Sequence, residues 1–305
     1  MTACLIFRVS PRRFLIYPKR GVESKGRIVY NTSGLHGSPG KFPPREKKGQ
    51  GKVMRILLIR HAEPDYTVDG LTAKGRIEAD LLSRRIARYD IRDFYVSPLG
   101  RARETADYTL RRMNRQAEVL PWLQEFRGRY PDPVTGREHL SWDLPPRVWM
   151  AEPLFLSPDR WADAPLYSGG NVREIWQETY HGVDALLSRY GYRKDGPVWR
   201  CENNTGDTIA LFCHFCISMA VAGYLMNLSP MILMQGTLTA PSSVTELVTE
   251  ERVKGEVYFR MTRLGDISHL EAAGEPRSMA GLFPTRYTGV DSTDFKTNGC
   301  ETLYP

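Results

Sequence analysis

The sequence predicts an α/β fold with a largely parallel central sheet. Three observations carry that prediction. Short apolar runs, Arg55-Ile56-Leu57-Leu58-Ile59, Asp93-Phe94-Tyr95-Val96 and Thr208-Ile209-Ala210-Leu211-Phe212-Cys213, alternate with segments of helical period. The third run has almost no polar interruption, which is the pattern of a strand covered on both faces. Helices between successive strands make those strands neighbours running the same way.

Each element follows in order. A strand over 54–59 leads through a loop to Leu71-Thr72-Ala73-Lys74-Gly75, and a helix then runs to about Arg88 with Ile77, Leu81, Leu82 and Ile86 near one face. The strand at 93–96 ends in Ser97-Pro98, and a helix is predicted from Arg101 to Arg112, followed by a short strand at 118–120. Residues 126–170 are a Pro- and Trp-rich excursion without strong period. A helix over 172–189, the strand at 208–213, a helix over 216–227 and strands near 243–249 and 256–263 complete the body. Residues 208–245 hold no Asp, Glu, Lys or Arg, yet His214, Asn227, Ser229-Pro230, Gln235 and Gly236 interrupt them. They read as buried strand, helix and loop, and no membrane span is expected.

Of the 305 residues, 41% are hydrophobic and 25% charged, a composition that excludes a disordered chain. The net charge of +7 invites a nucleic-acid partner, but it is unevenly spread. Residues 1–53 hold 12 Lys/Arg against Glu23 and Glu46, a charge of +10, and the remainder carries −3. The leader lacks sustained period and reads as a disordered basic arm or as sequence upstream of a true start at Met54. A nucleic-acid role would need aromatic interleaving or a basic motif, and the arm has neither. Five cysteines (Cys4, Cys201, Cys213, Cys216, Cys300) are an odd number in a long chain, so no disulfide framework is expected. Leu5-Ile6-Phe7 is too short for a signal-peptide core, and a reducing, cytoplasmic setting is expected.

In open α/β sheets ligands bind beyond the carboxyl ends of the strands. The first strand ends in Arg60-His61-Ala62-Glu63, the second in Ser97-Pro98-Leu99-Gly100-Arg101, and the buried one at His214. Two histidines and two arginines on one rim suit a phosphate: guanidinium forks grip its oxygens, and a neutral imidazole attacks phosphorus.

These residues resemble the histidine phosphatase superfamily, the phosphoglycerate-mutase-like proteins, on the phosphatase branch. Arg60-His61-Ala62-Glu63 is similar to that family's Arg-His-Gly-Glu, and Leu71-Thr72 with Gly75 to its Leu-Thr-x-x-Gly. Ser97-Pro98-Leu99 with Arg101, Ala102 and Thr105 resembles its second arginine motif, and Leu123-Gln124-Glu125 with Gly128 its Leu-x-Glu-x-x-Gly. Cys213-His214 resembles the second histidine at a strand end, and Gly265-Asp266 with Ser268-His269-Leu270 the closing strand and turn. The likeness spans 54–271 as one domain, with 126–170 where the family carries its lid, and leaves 272–305 as an irregular tail.

The resemblance implies a three-layer α/β/α, phosphoglycerate-mutase-like fold and a phosphomonoesterase of the histidine acid phosphatase type. His61 would form the phosphohistidine, Arg60, Arg101 and His214 would hold the phosphoryl oxygens, and Glu125 would be the acid and base. No cofactor or metal is implied, because the arginines take the cation's place. The partner would be a small-molecule phosphoester. Three departures stand out. Ala62 replaces a glycine, Phe215 replaces a small residue, and Pro64-Asp65-Tyr66 replaces the mutases' Asn-rich continuation, which favours phosphatase over mutase. Phosphoglycerate-mutase-type transfer, and a catalytically inactive phosphate-binding protein of this fold, are the alternatives. The sequence leaves substrate and oligomeric state open.

Some residues have plainer readings. Arg103 belongs to a solvated helix face, and Arg127, Arg129, Arg137 and His139 read as solvated lid charges before contacts to an acidic substrate. Cys213-x-x-Cys216 has no second pair at zinc spacing and reads as two core thiols. Trp142, Trp149, Trp161 and Trp176 read as packing for the lid and its helix.

Overall fold

A computed structural model describes residues 53–133, 136–202 and 204–281. The expected leader, apart from Val53, and the tail beyond 281 lie outside the described residues. The strands are β1 (Arg55–Arg60), β2 (Pro64–Asp65), β3 (Gly70–Leu71), β4 (Asp93–Val96), β5 (Ala117–Val119), β6 (Arg129–Pro131), β7 (Glu138–Leu140), β8 (Tyr192–Asp195), β9 (Val198–Cys201), β10 (Thr208–Cys213), β11 (Val244–Val253) and β12 (Glu256–Asp266). The helices are α1 (Ala73–Ile86), α2 (Gly100–Met113), α3 (Pro146–Trp149), α4 (Val172–Ser188), α5 (Phe215–Met226), α6 (Pro230–Gly236) and α7 (Ser268–Glu271).

Eight strands make the main sheet, ordered β5-β4-β10-β1-β11-β12-β9-β8. The four that carry helical crossovers, β5, β4, β10 and β1, are parallel. The β11–β12 and β8–β9 hairpins extend the sheet antiparallel. The hairpin β8–β9 escapes sequence reading because Tyr192-Arg193-Lys194-Asp195 is charged and sits at the sheet edge. The seven-residue α6 escapes because it is too short for a period; the hydroxyl of Ser229 caps it, accepting from the Met231 amide at 3.2 Å, with Pro230 next.

Strand alternation builds the layers. Ile56, Leu58, Ile209 and Leu211 enter one cluster with Val183 and Leu186 of α4 and Met219 and Ala222 of α5. Leu57, Ile59, Ala210 and Phe212 enter the other with Leu82 and Ile86 of α1 and Ala102 and Ala106 of α2. Successive side chains of a strand face opposite sides, so the sheet is covered twice and the fold is three-layer α/β/α. Every residue of β10 is buried, as its apolar run predicts.

One expectation needs correction. Ile77 is 52% exposed, whereas Gly75, Glu78, Ala79, Leu82 and Ile86 form the buried face of α1. The helix is turned by two polar requirements. The hydroxyl of Thr72 accepts from the Gly75 amide at 3.0 Å, and buried Glu78 accepts from the Glu63 amide at 2.9 Å. Gly75 admits the close approach: a Cβ there would lie 2.2 Å from the Glu63 carbonyl oxygen.

The excursion has an aromatic core. Trp161 is fully buried, 5.7 Å from Phe126 and 5.4 Å from Trp176 of α4 between ring centroids. The indole of Trp142 donates to the Phe126 carbonyl at 3.0 Å. Among the described residues no helix is long and apolar enough to cross a membrane.

Candidate active site

Three adjacent parallel strands, β4, β10 and β1, end on one rim. Beyond their last pairs the backbone stays tied, with the His61 amide donating to the Cys213 carbonyl and the Ser97 amide to the Phe212 carbonyl, both at 2.9 Å. This brings Arg60-His61, Ser97 and His214 together, as the strand ends predict. The rings of His61 and His214 lie 5.1 Å apart, tilted by 58°.

His61 is 2% exposed. Its Nδ1 is 2.8 Å from the Ala62 carbonyl oxygen, which can only accept, so Nδ1 carries the proton and Nε2 keeps its lone pair. Burial first, then the charges of Arg60 and Arg101, hold its pKa well below the usual histidine value. The imidazole is therefore neutral and nucleophilic at neutral pH. The Ala62 amide donates to Thr105 Oγ1 at 3.0 Å, which fixes the chain just past the histidine. Ala62 lies outside the left-handed region, so its methyl costs no backbone strain.

His214 is fully buried at the N-cap of α5, with Nε2 2.8 Å from Ser97 Oγ. Burial, then the neighbouring His61, Arg101 and Arg60, push its pKa well below the usual value.

Arg60 donates from Nη1 to the Thr239 carbonyl, and its guanidinium lies 5.8 Å from the centre of the Phe215 ring. Phe215 therefore acts as a platform for the arginine, which explains a bulky residue after the second histidine. Arg101, in the first turn of α2, is held by Asp69: Nη1 to Oδ1 is 2.5 Å, and Oδ2 accepts from the Gly100 amide at 2.6 Å. The Tyr66 ring lies 5.4 Å from its guanidinium. Arg60 Nε, Arg101 Nε and His214 Nδ1 are buried without a hydrogen-bond partner in the protein. An unmet buried donor costs about 1–3 kcal/mol, and a tetrahedral oxyanion offers the acceptors that the two guanidinium nitrogens lack.

Glu125 follows the turn Pro121–Leu123 by two residues. Its Oε1 accepts from the Phe126 amide at 2.9 Å and from the Ile217 amide in the first turn of α5 at 3.0 Å. Burial raises its pKa above the ordinary glutamate value; the two amides, Arg60 and Arg101 oppose this. A carboxyl that holds its proton longer than an exposed one is suited to general acid catalysis.

Asp69 and Thr239 carry no signal in the sequence, and Tyr66, Ser97 and Thr105 stand in quoted segments without an expected role at the site. Their contacts are long-range. The chain also returns here near its described end, where a Cβ on Gly281 would lie 2.9 Å from Arg60 Nη2 and 3.4 Å from the Tyr66 hydroxyl. Two of the lid residues are engaged away from this cluster: Arg127 pairs with Glu178 at 2.6 Å, and His139, expected to be solvated, is instead buried 3.8 Å from Asp132. Cys213 meets Ser218 Oγ at 3.1 Å, and burial pushes its thiol up to about 12, so it stays protonated.

The family model of the histidine phosphatase superfamily (branch 1) matches residues 56–154, which include Arg60, His61, Arg101 and Glu125. Over these residues the chain is similar to that superfamily. A Schizosaccharomyces pombe protein named "Probable phosphatase C1687.21" is 25% identical over 233 residues, 72% of this chain and 96% of that one. Among solved structures, a phosphoserine phosphatase mutant from Entamoeba histolytica, in complex with phosphoserine, is 19% identical with a TM-score of 0.48. It covers 71% of this chain and 99% of its own. A mycobacterial glucosyl-3-phosphoglycerate phosphatase is also 19% identical, with a TM-score of 0.47, covering 70% and 99%.

Proposed function

We propose that the protein is a phosphomonoesterase that hydrolyses a phosphorylated small molecule through a phosphohistidine on His61. The observation that carries this reading is the His61 ring, whose Nδ1 is committed to the Ala62 carbonyl while its Nε2 lone pair lies among Arg60, Arg101 and His214. The yeast relative named as a phosphatase agrees with it.

In the first step His61 Nε2 bonds to phosphorus as the bond to the leaving oxygen breaks, and the Glu125 carboxyl proton passes to that oxygen. Arg60, Arg101 and His214 take up the charge on the three non-bridging oxygens. In the second, water attacks phosphorus, Glu125 takes its proton, the P–N bond breaks and His61 returns neutral with inorganic phosphate released. This route draws on the chain's own residues at each proton transfer and calls on no cofactor.

His61→Ala is the test. It is expected to abolish release of phosphate from p-nitrophenyl phosphate and to remove the acid-labile label that a 32P-phosphoester leaves on the wild-type chain. Turnover retained by the variant would overturn the reading. Release of free phosphate, measured against transfer between positions of a phosphoglycerate, separates it from a mutase.

A further inference from the structure

We propose that His269 is a positioning residue for His61, acting through Ser242; the proposal rests on His61 being the nucleophile. Ser242 lies in the loop between α6 and β11. It is fully buried and has φ +60°, in the left-handed region that side chains with a Cβ rarely adopt. In that conformation its amide donates to the His61 carbonyl at 2.9 Å. The same loop meets the preceding residue twice. The Ser243 carbonyl accepts from the Arg60 amide at 3.0 Å, and the Thr239 carbonyl accepts from Arg60 Nη1. Backbone of one loop thus sets both halves of the Arg60-His61 pair.

A strained residue keeps its conformation only where its surroundings hold it. The Ser242 hydroxyl is 3.1 Å from His269 Nε2. On the other side of that ring, Nδ1 is 3.4 Å from Arg85 Nη1. A guanidinium only donates, so Nδ1 presents its lone pair and Nε2 carries the hydrogen given to Ser242. Arg85 is itself fixed by the Asp266 carbonyl at 2.9 Å and Oδ1 at 3.0 Å. Burial and the Arg85 charge keep His269 neutral, with its pKa lowered to about 4, so this arrangement holds at neutral pH. The line from Asp266 to Arg85, His269, Ser242 and His61 is continuous, and His269 touches no reacting atom. Without it Ser242 is free to leave the left-handed region, and the His61 carbonyl loses its donor.

Phosphoryl transfer depends on alignment of the attacking nitrogen, where a misplacement of about 1 Å costs on the order of 100-fold. His269→Ala is therefore expected to lower both kcat and the single-turnover rate of phosphohistidine formation by about 10- to 100-fold, with KM within about twofold. His269→Gln, which places an amide N–H near the ring Nε2, is expected to recover most of that loss. Ser242→Gly holds the left-handed region without strain and keeps the amide that His61 needs. Alone it is expected to stay within about threefold of the wild-type rate, and in the His269→Ala background to restore most of the lost rate. No recovery by Gln or by the added Gly in proteins that melt as wild type, or a His269→Ala rate within twofold of wild type, would each overturn the proposal. Should His269→Ala not fold, the Gln variant and the double variant still decide. If wild type forms no phosphohistidine, the proposed function fails first; if it does and His269→Ala matches it, only the present inference falls.

Discussion

Glu125 Oε1 accepts the amide of Ile217 at 3.0 Å, and Ile217 stands in the first turn of the helix that His214 caps. One helix start therefore sets both the carboxyl assigned to proton transfer and the second histidine of the pair. The helix N-terminus favours the carboxylate, while burial favours the acid, and burial wins.

Glu125→Gln should separate these roles. An amide oxygen still accepts both backbone bonds, so the helix start is preserved, but no proton can be given. The kcat on an alkyl phosphate is expected to fall by about 10²–10⁴. The loss on p-nitrophenyl phosphate should be smaller, because that leaving group needs little protonation. The wild-type rate of phosphohistidine formation requires the protonated acid and should decline as pH rises through the raised Glu125 pKa. A pH series in single turnover should show that limb in wild type and none in the variant.

Glu78 offers a stability test of the opposite kind. It is fully buried beneath the loop that follows His61, accepting the Glu63 amide at 2.9 Å, and burial raises its pKa from 4.5 to about 6. A raised folded-state pKa contributes stability below the unfolded value, and that contribution is lost as pH rises through about 6. At pH 8 the buried charge costs about 2 kcal/mol. Glu78→Gln keeps an acceptor for the Glu63 amide without that charge. It is expected to gain about 1–2 kcal/mol at pH 8 and nothing near pH 4.5, read from urea midpoints.

Gly75→Ala probes the same loop sterically. Its Cβ would fall 2.2 Å from the Glu63 carbonyl oxygen, a backbone atom that cannot swing aside. Either α1 or the segment after His61 must shift. A loss of about 1–3 kcal/mol in stability together with reduced kcat is expected. An unchanged melting temperature and rate would show that the helix moves freely against the loop.

The strand-end residues Arg60, His61, Arg101 and His214 were legible in the sequence because a strand's end is a local signal and the topology of an α/β sheet then places its ligands. Glu125 was legible only through its motif, since nothing in a loop carboxylate announces a helix start some ninety residues away. Asp69, Ser242 and His269 acquire their parts through contacts that no period or spacing encodes. The face of α1 was misread for the same reason. Hydrophobicity put Ile77 inward, whereas the acceptor for the Glu63 amide had to be there, and that acceptor is Glu78. The parallel half of the sheet followed from its crossovers, while the edge hairpin β8–β9 is held by its ladder, by the Arg200–Asp195 pair at 2.7 Å and by buried Tyr192 and Trp199, contacts that its charged sequence does not announce.

The buried histidines govern the acid side. His61 and His214 are held well below the usual histidine value, and His269 falls from 6.5 to about 4, in each case chiefly by burial. A lowered folded-state pKa on a base leaves no penalty above 6.5, where the ring is neutral in both states. Below it the unfolded chain takes up a proton that the folded chain refuses, so stability falls by about 1.4 kcal/mol per pH unit and per histidine until the folded value is reached. Glu78 and Glu125 work against this slope, since each gains stability as pH falls. The sum is therefore a poor probe of any one group, and a difference is a good one. Between pH 7 and pH 5 the share of His269 is about 2 kcal/mol. His269→Gln cannot titrate, keeps the donor to Ser242, and should lose about 2 kcal/mol less than wild type over that interval. Equal losses in both proteins, measured by urea unfolding at the two pH values, would mean that His269 is not held neutral by Arg85 and burial.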